Sequence, residues 1–230
     1  MGIYDRDYYR EPPRGNAFSN IAGWSVTTWL IIVNVAVFVV DSMIGYPLRD
    51  QLGYFSIDTA VFHVEIWRFF TLQFLHANIP HIFYNMLALY FFGPMVEPIL
   101  GARRYLAFYL ICGVASGAMF AVMCLLNILG DNFATPLVGA SGSIFGVLVA
   151  AAVVAPNEIV RIDFFFPVTI RTAALLMLGI AVVMVLRNGD NAGGEAAHIG
   201  GALMGYLLIK KPRMLDFANY RRGPRMRYRP

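Results

Sequence analysis

Charge is scarce in this 230-residue chain. Only 14% of its residues are Asp, Glu, Lys or Arg, against 58% hydrophobic, whereas a soluble domain averages about 25% charged and about 45–50% apolar. That shortage, with a mean hydropathy of +0.60, excludes an ordinary water-soluble domain and marks a multi-pass membrane protein. Cysteine is also scarce. Cys112 and Cys124 fall in one apolar stretch, which excludes a disulfide framework and leaves two small buried hydrophobes. The four histidines come with no HExxH and no paired Cys/His spacing, so no metal site and no cofactor is expected. Residues 1–22 are polar and rich in Arg, Asp, Tyr and Pro. They lack a short apolar core before a small-residue cleavage site, so no removable signal peptide is expected. Internal repeats, low-complexity tracts and a second domain are lacking as well.

What is there is a series of apolar runs. They predict an all-α membrane protein with six transmembrane helices, at about 24–44, 81–96, 105–129, 141–155, 172–186 and 196–209. A crossing takes about 20 apolar residues, and the last three runs are short. A short span can cross where other helices surround it, and the fourth, rich in Gly, Ala and Val, reads as a central helix. Three parts follow: a cytoplasmic N-terminal tail (1–22), a membrane domain (23–210) and a basic cytoplasmic C-terminal tail (211–230). Six crossings put both termini on one side, and 15 of the 18 Lys and Arg then fall there, with only Arg49, Arg68 and Arg187 opposite. The positive-inside rule makes that side the cytoplasm. The basic tail is read as a contact to anionic lipid and not to nucleic acid. The stretch 46–80 mixes Phe55, Phe62, Trp67, Phe69, Phe70 and Phe74 with a few charges, the composition of a loop in the membrane interface.

Polar side chains inside such spans are functional candidates by default. Ser141 opens the fourth span and His198 the sixth, both entered from outside, which suggests a nucleophile and its general base. His81 and Asn85, in the first turns of the second span, lie four apart and share a helix face. Together with the Ser141 backbone N–H, free of an intrahelical acceptor, they offer three donors for an oxyanion. The alternative for the pair is interhelical hydrogen bonding alone. Gly142 and Gly146 in the fourth span, and Gly201 and Gly205 in the sixth, are small-residue pairs that let two backbones approach and bring Ser141 and His198 to one end of the contact. Phe145, one turn after Ser141, either packs on the imidazole or is ordinary core. Glu195 and Asp190 read as solvated loop residues, so a Ser–His dyad is expected rather than a triad. Arg68, beside Trp67, braces the outer loop on backbone carbonyls; Glu97 takes backbone or Arg partners; His76 is a loop brace.

These residues resemble the rhomboid family of intramembrane serine proteases. The matching elements are Trp67-Arg68, His76-Ala77-Asn78-Ile79-Pro80-His81 with Asn85, Glu97 with Gly101, Gly139-Ala140-Ser141-Gly142, and Ala197-His198 with Gly201 and Gly205, in that order over about 24–209. The resemblance implies a six-helix core with a water-filled cavity open to the outer side. It implies Ser141 as nucleophile, His198 as base and then acid, and His81, Asn85 and the Ser141 amide as the oxyanion hole. Phe145 stands where family members often carry Tyr. Implied partners are single-pass transmembrane protein substrates, cut near the outer face of the cell membrane, and membrane lipids. Two other readings stay open: a non-proteolytic membrane protein that holds clients, and a transporter, which would need polar groups near the midplane reachable from both sides.

Overall fold

A computed structural model describes residues 23–46, 48, 55–129, 133–162, 166–189 and 191–219. Both tail segments 1–22 and 220–230 lie outside the described residues, as do Asp190 and Arg49. Six main helices follow in order: α1 (Val26–Met43), α2 (Ile79–Leu100), α3 (Ala102–Leu125), α4 (Ser141–Val154), α5 (Ile170–Leu186) and α6 (Ala192–Lys210). Each coincides with one of the six apolar runs. Three of them, α1, α2 and α3, are long and apolar enough to cross a membrane. The outward surface is apolar too, with Trp29, Val33, Val40, Leu175, Leu176 and Ile180 all exposed, which suits lipid and not water.

Local chemistry sets the helix ends. Ser25, Asn78 and Thr169 accept from the backbone N–H three residues on, at the starts of α1, α2 and α5, the work of an N-cap side chain. Gly101, at φ +77°, turns α2 directly into α3, a conformation glycine adopts at low cost. Glu97 ties α1 to α2. Its carboxylate accepts from the N–H groups of Val26 (2.7 Å) and Thr27 (2.9 Å) and from the Thr27 hydroxyl (2.7 Å). It therefore caps the free N–H groups that open α1, and its partners are two backbone N–H groups and one hydroxyl rather than an Arg.

Helix α4 is the centre. Every residue from Gly142 to Ala151 is buried, and the helix contacts α2, α3, α5 and α6. With its surroundings all protein, 14 residues suffice where a lipid-facing helix would need more. The α4–α6 contact is backbone on backbone. A Cβ on Gly201 would land on the Gly142 carbonyl oxygen, and one on Gly205 would sit 2.5 Å from the Gly146 Cα.

Two features lie outside the six expected helices. Between α4 and α5, where the charge pattern marks only a basic connection, β1 (Ile159–Ile162) pairs antiparallel with β2 (Phe166–Thr169), Ile159 opposite Thr169. The β-branched run Ile159-Val160 favours an extended chain, and Pro167 is tolerated in a two-stranded ribbon, where every strand is an edge. Past α6, Pro212–Asn219 forms a 3-10 helix that buries Leu215 and pairs Asp216 with Arg104 of α3.

The outer loop folds inward at its core and outward at its rim. Phe55 is fully buried, edge-on to Phe69 and Phe120, while Phe62, Trp67 and Phe70 stay exposed. Arg68 is buried and pairs with the Glu65 carboxylate. Gln73, wholly buried, accepts from the Ser143 hydroxyl of α4 at 3.0 Å and so fastens the loop to the central helix. His76 is buried with neither ring nitrogen hydrogen-bonded, edge-on to His81 at 5.1 Å.

Candidate active site

Three helices bring the polar residues together at one end of the bundle. Ser141 is the first residue of α4. His198 lies in the second turn of α6, drawn in by the glycine contact just described. The Ser141 Oγ and His198 Nε2 stand 2.8 Å apart, within the reach a nucleophile and its base need. Phe145, one turn along α4, stacks face to face on the imidazole, with centroids 4.1 Å apart and planes 7° from parallel. Both readings open for Phe145 hold at once: its ring stacks on the imidazole and is buried with Val149 and Ala202.

The other imidazole nitrogen carries a correction. Glu195 is not a solvated loop residue: it lies in the first turn of α6, and its Oε2 is 3.0 Å from His198 Nδ1. Its side chain is only 17% exposed. The sequence reading ended the sixth helix's apolar face at Ala196. The helix in fact starts at Ala192, and that extra turn places Glu195 three residues before His198 on the same face. Asn191 donates from Nδ2 to the second carboxylate oxygen at 3.4 Å.

His81 and Asn85 project from the first turns of α2 toward the segment leading into Ser141. Gly139 there holds φ +129°, and a Cβ on it would fall 2.7 Å from the His81 Nε2 and 3.7 Å from the Asn85 Nδ2. Only glycine, by both backbone angle and space, lets these side chains approach. The Ala77 N–H donates to His81 Nδ1 at 3.4 Å, so the ring proton sits on Nε2, facing that segment. The Asn85 Nδ2 is buried with no hydrogen-bond partner. A buried donor left open is rare and calls for a reason. The Ser141 N–H, at the helix start, is a third donor.

A cavity of about 920 Å³ joins these groups, lined by His81, Asn85, Ser141, Phe145, Asn191 and His198 among others. It extends to Tyr84 of α2 and Met177 of α5, both of which are exposed. Behind Ser141, Gly142 packs on Ser116 of α3, and a Cβ there would collide with the Ser116 side chain. Trp67, Arg68 and Glu97 lie away from the cavity and serve the loop and the α1–α2 junction. Cys112 and Cys124 are free and buried. Gln73, Ser143 and Ser116 carry no signal in the sequence beyond their polarity inside apolar surroundings.

Comparison with known proteins points the same way. The Rhomboid domain model matches residues 63–211. The chain is 26% identical to the rhomboid protease AarA of Providencia stuartii, over 90% of this chain and 80% of that protein. It is 26% identical to the mitochondrial RHOMBOID-like protein 12 of Arabidopsis thaliana, over 83% of this chain and 64% of that one. It is 32% identical to the rhomboid protease GluP of Bacillus subtilis, over 62% of this chain but only 25% of the larger relative. With a family model covering well over half its length and apolar helices on every side of the site, the chain is a multi-pass membrane protein that belongs to the rhomboid family.

Proposed function

We propose that the protein is an intramembrane serine endopeptidase. The observation that carries this reading is the 2.8 Å contact between Ser141 Oγ and His198 Nε2, in a cavity that also holds an unpartnered amide donor. Ser141 Oγ attacks the scissile carbonyl carbon while its proton passes to His198 Nε2. The carbonyl oxygen becomes an oxyanion that accepts from His81 Nε2, Asn85 Nδ2 and the Ser141 N–H. The tetrahedral intermediate collapses, the C–N bond breaks, and His198 returns the proton to the departing amine. Water, deprotonated by the same imidazole, then releases the acyl group from Ser141.

Substrates are single-pass transmembrane proteins cut near the outer face. Support comes from the cavity's reach to the exposed Tyr84 and Met177, a route by which a peptide segment can leave the bilayer for the serine. All six helices cross, with both termini in the cytoplasm of a cell whose plasma membrane holds the protein; the placement of Lys and Arg supports this. The client-holding alternative has no use for a serine hydroxyl set against an imidazole. The transporter alternative wants its polar groups at mid-depth, and here they gather at one end. The test is cleavage of a reporter transmembrane segment in liposomes by the wild type and by Ser141→Ala. Product from the wild type alone supports the proposal; equal product from both refutes it.

A further inference from the structure

The stack on Phe145 fixes the plane of the His198 ring but not its edge. A half-turn about the Cβ–Cγ bond keeps the stack and puts a ring carbon where each nitrogen stood. Glu195 is the group that tells the edges apart. Its Oε2 lies 3.0 Å from Nδ1, its Oε1 is held by Asn191, and the side chains of Glu195 and His198 are 17% and 15% exposed. We propose that Glu195 is the positioning residue for His198, so that the site works as a Ser141–His198–Glu195 relay and not as a bare pair. This rests on the protease reading above.

An ionised carboxylate only accepts, so Nδ1 must carry the proton and Nε2 must offer its lone pair to the Ser141 hydroxyl. When Nε2 takes the serine proton, the imidazolium lies against a negative charge in a largely buried pair, where the attraction is stronger than in solvent. The proton stays on the ring and leaves from Nε2 to the amine; Glu195 is never protonated. Its contribution is orientation, tautomer and charge, the three things a carboxylate supplies in the serine-protease template. The competing account makes Glu195 a first-turn acid that merely favours the α6 N-terminus. That account predicts lost stability, not a lost rate.

The experiment is fluorophosphonate acylation of the purified, membrane-embedded protein at several probe concentrations, which separates the maximal rate from the concentration for half-saturation. Thermal unfolding is measured alongside. The variants are Glu195→Gln, Glu195→Ala and Asn191→Ala. Glu195→Gln is expected to lower the maximal rate about 10–100-fold, with half-saturation and unfolding temperature near wild type, and Asn191→Ala to give a smaller fall in rate. A Glu195→Gln protein that acylates at the wild-type rate overturns the proposal, as does a rate loss matched by a fall in unfolding temperature. Slow but Ser141-dependent labelling in Glu195→Gln leaves the protease reading intact, whereas a folded wild type that takes up no probe overturns both.

A different observation carries a second inference. Between α4, α5 and α6 runs an apolar groove of about 560 Å³, separate from the active-site cavity. Its walls extend from Arg171 to Val182 on α5 and from Ile199 to Lys210 on α6, about 16 Å along each helix at a rise of 1.5 Å per residue. That is roughly the depth of one leaflet of a hydrocarbon core about 30 Å thick. Arg171 and Lys210 both line the groove at the end away from Ser141, with Tyr206 beside Lys210. Neither cation has an acidic partner among the described residues. We infer that the groove binds one anionic phospholipid, its acyl chain against Leu178, Val182 and Ala202 and its phosphate on Arg171 and Lys210. Charge complementarity selects the headgroup, and groove length selects a chain of the same leaflet.

Delipidated protein in neutral detergent tests this by thermal unfolding with added phosphatidylglycerol, phosphatidylcholine or inorganic phosphate. The inference expects a rise with phosphatidylglycerol alone, at least halved in an Arg171→Gln/Lys210→Gln double variant. Equal rises with both lipids, a rise with inorganic phosphate alone, or an undiminished rise in the double variant would each overturn it.

Discussion

At the scale of single residues, the convergence of Ser141, His198, His81 and Asn85 on one cavity is legible in the sequence, because polar groups at matching depth in apolar helices stand out. Glu195 is not. A glutamate beside two glycines and an asparagine reads as loop, and only the true start of α6 turns it toward the imidazole. Asn85 yields a prediction of its own. Its Nδ2 has no hydrogen-bond partner, so under the proposed mechanism Asn85→Ala removes a donor kept for the oxyanion. The expected result is a fall in maximal cleavage rate of about 10²–10³-fold with little change in half-saturation, measured on a reporter transmembrane segment. A larger effect on half-saturation than on rate would mean that Asn85 binds the ground state. His81→Phe keeps the ring and drops Nε2–H; its loss should be of similar kind.

At the scale of elements, the six apolar runs marked six helices, since burial and lipid both demand satisfied backbone groups. The β1–β2 ribbon and the Pro212–Asn219 turn escaped notice because neither has a long periodic pattern. The glycine pairs gave the α4–α6 contact in advance, and the coordinates sharpen the prediction. Gly201→Val drives a side chain into the Gly142 carbonyl. It should lower the unfolding temperature and abolish fluorophosphonate labelling, at a cost of about 3 kcal/mol or more. Gly179→Ala on α5 meets nothing within 4 Å and should leave both unchanged. Loss of labelling in Gly179→Ala, or its survival in Gly201→Val, would contradict the packing account. Glu97→Ala leaves the α1 N–H groups without their cap and should loosen that helix by about 1–3 kcal/mol, read as a lower unfolding temperature with labelling retained below it.

For the whole molecule, one buried loop residue couples fold stability to pH. Burial, and then the neighbouring His81, hold the His76 ring neutral, its pKa lowered from 6.5 to about 3. The unfolded chain binds that proton near pH 6.5 and the folded one does not. Stability is therefore fully present above pH 6.5 and falls as pH drops from there toward 3, by about 1 kcal/mol per pH unit. Thermal unfolding from pH 7.5 to 4.5 should show this slope, and His76→Phe should flatten it; an equal slope in both would assign the acid sensitivity elsewhere. The apolar bundle holds Ser141 Oγ 2.8 Å from His198 Nε2, and the proposed function stands on that serine being activated. The most direct measurement is labelling of wild type, Ser141→Ala and His198→Ala by a fluorophosphonate probe in membranes, with folding of each confirmed by thermal unfolding. The account predicts labelling of the wild type, none of Ser141→Ala, and at most a trace of His198→Ala. Equal labelling of wild type and His198→Ala, or none in a folded wild type, would contradict it.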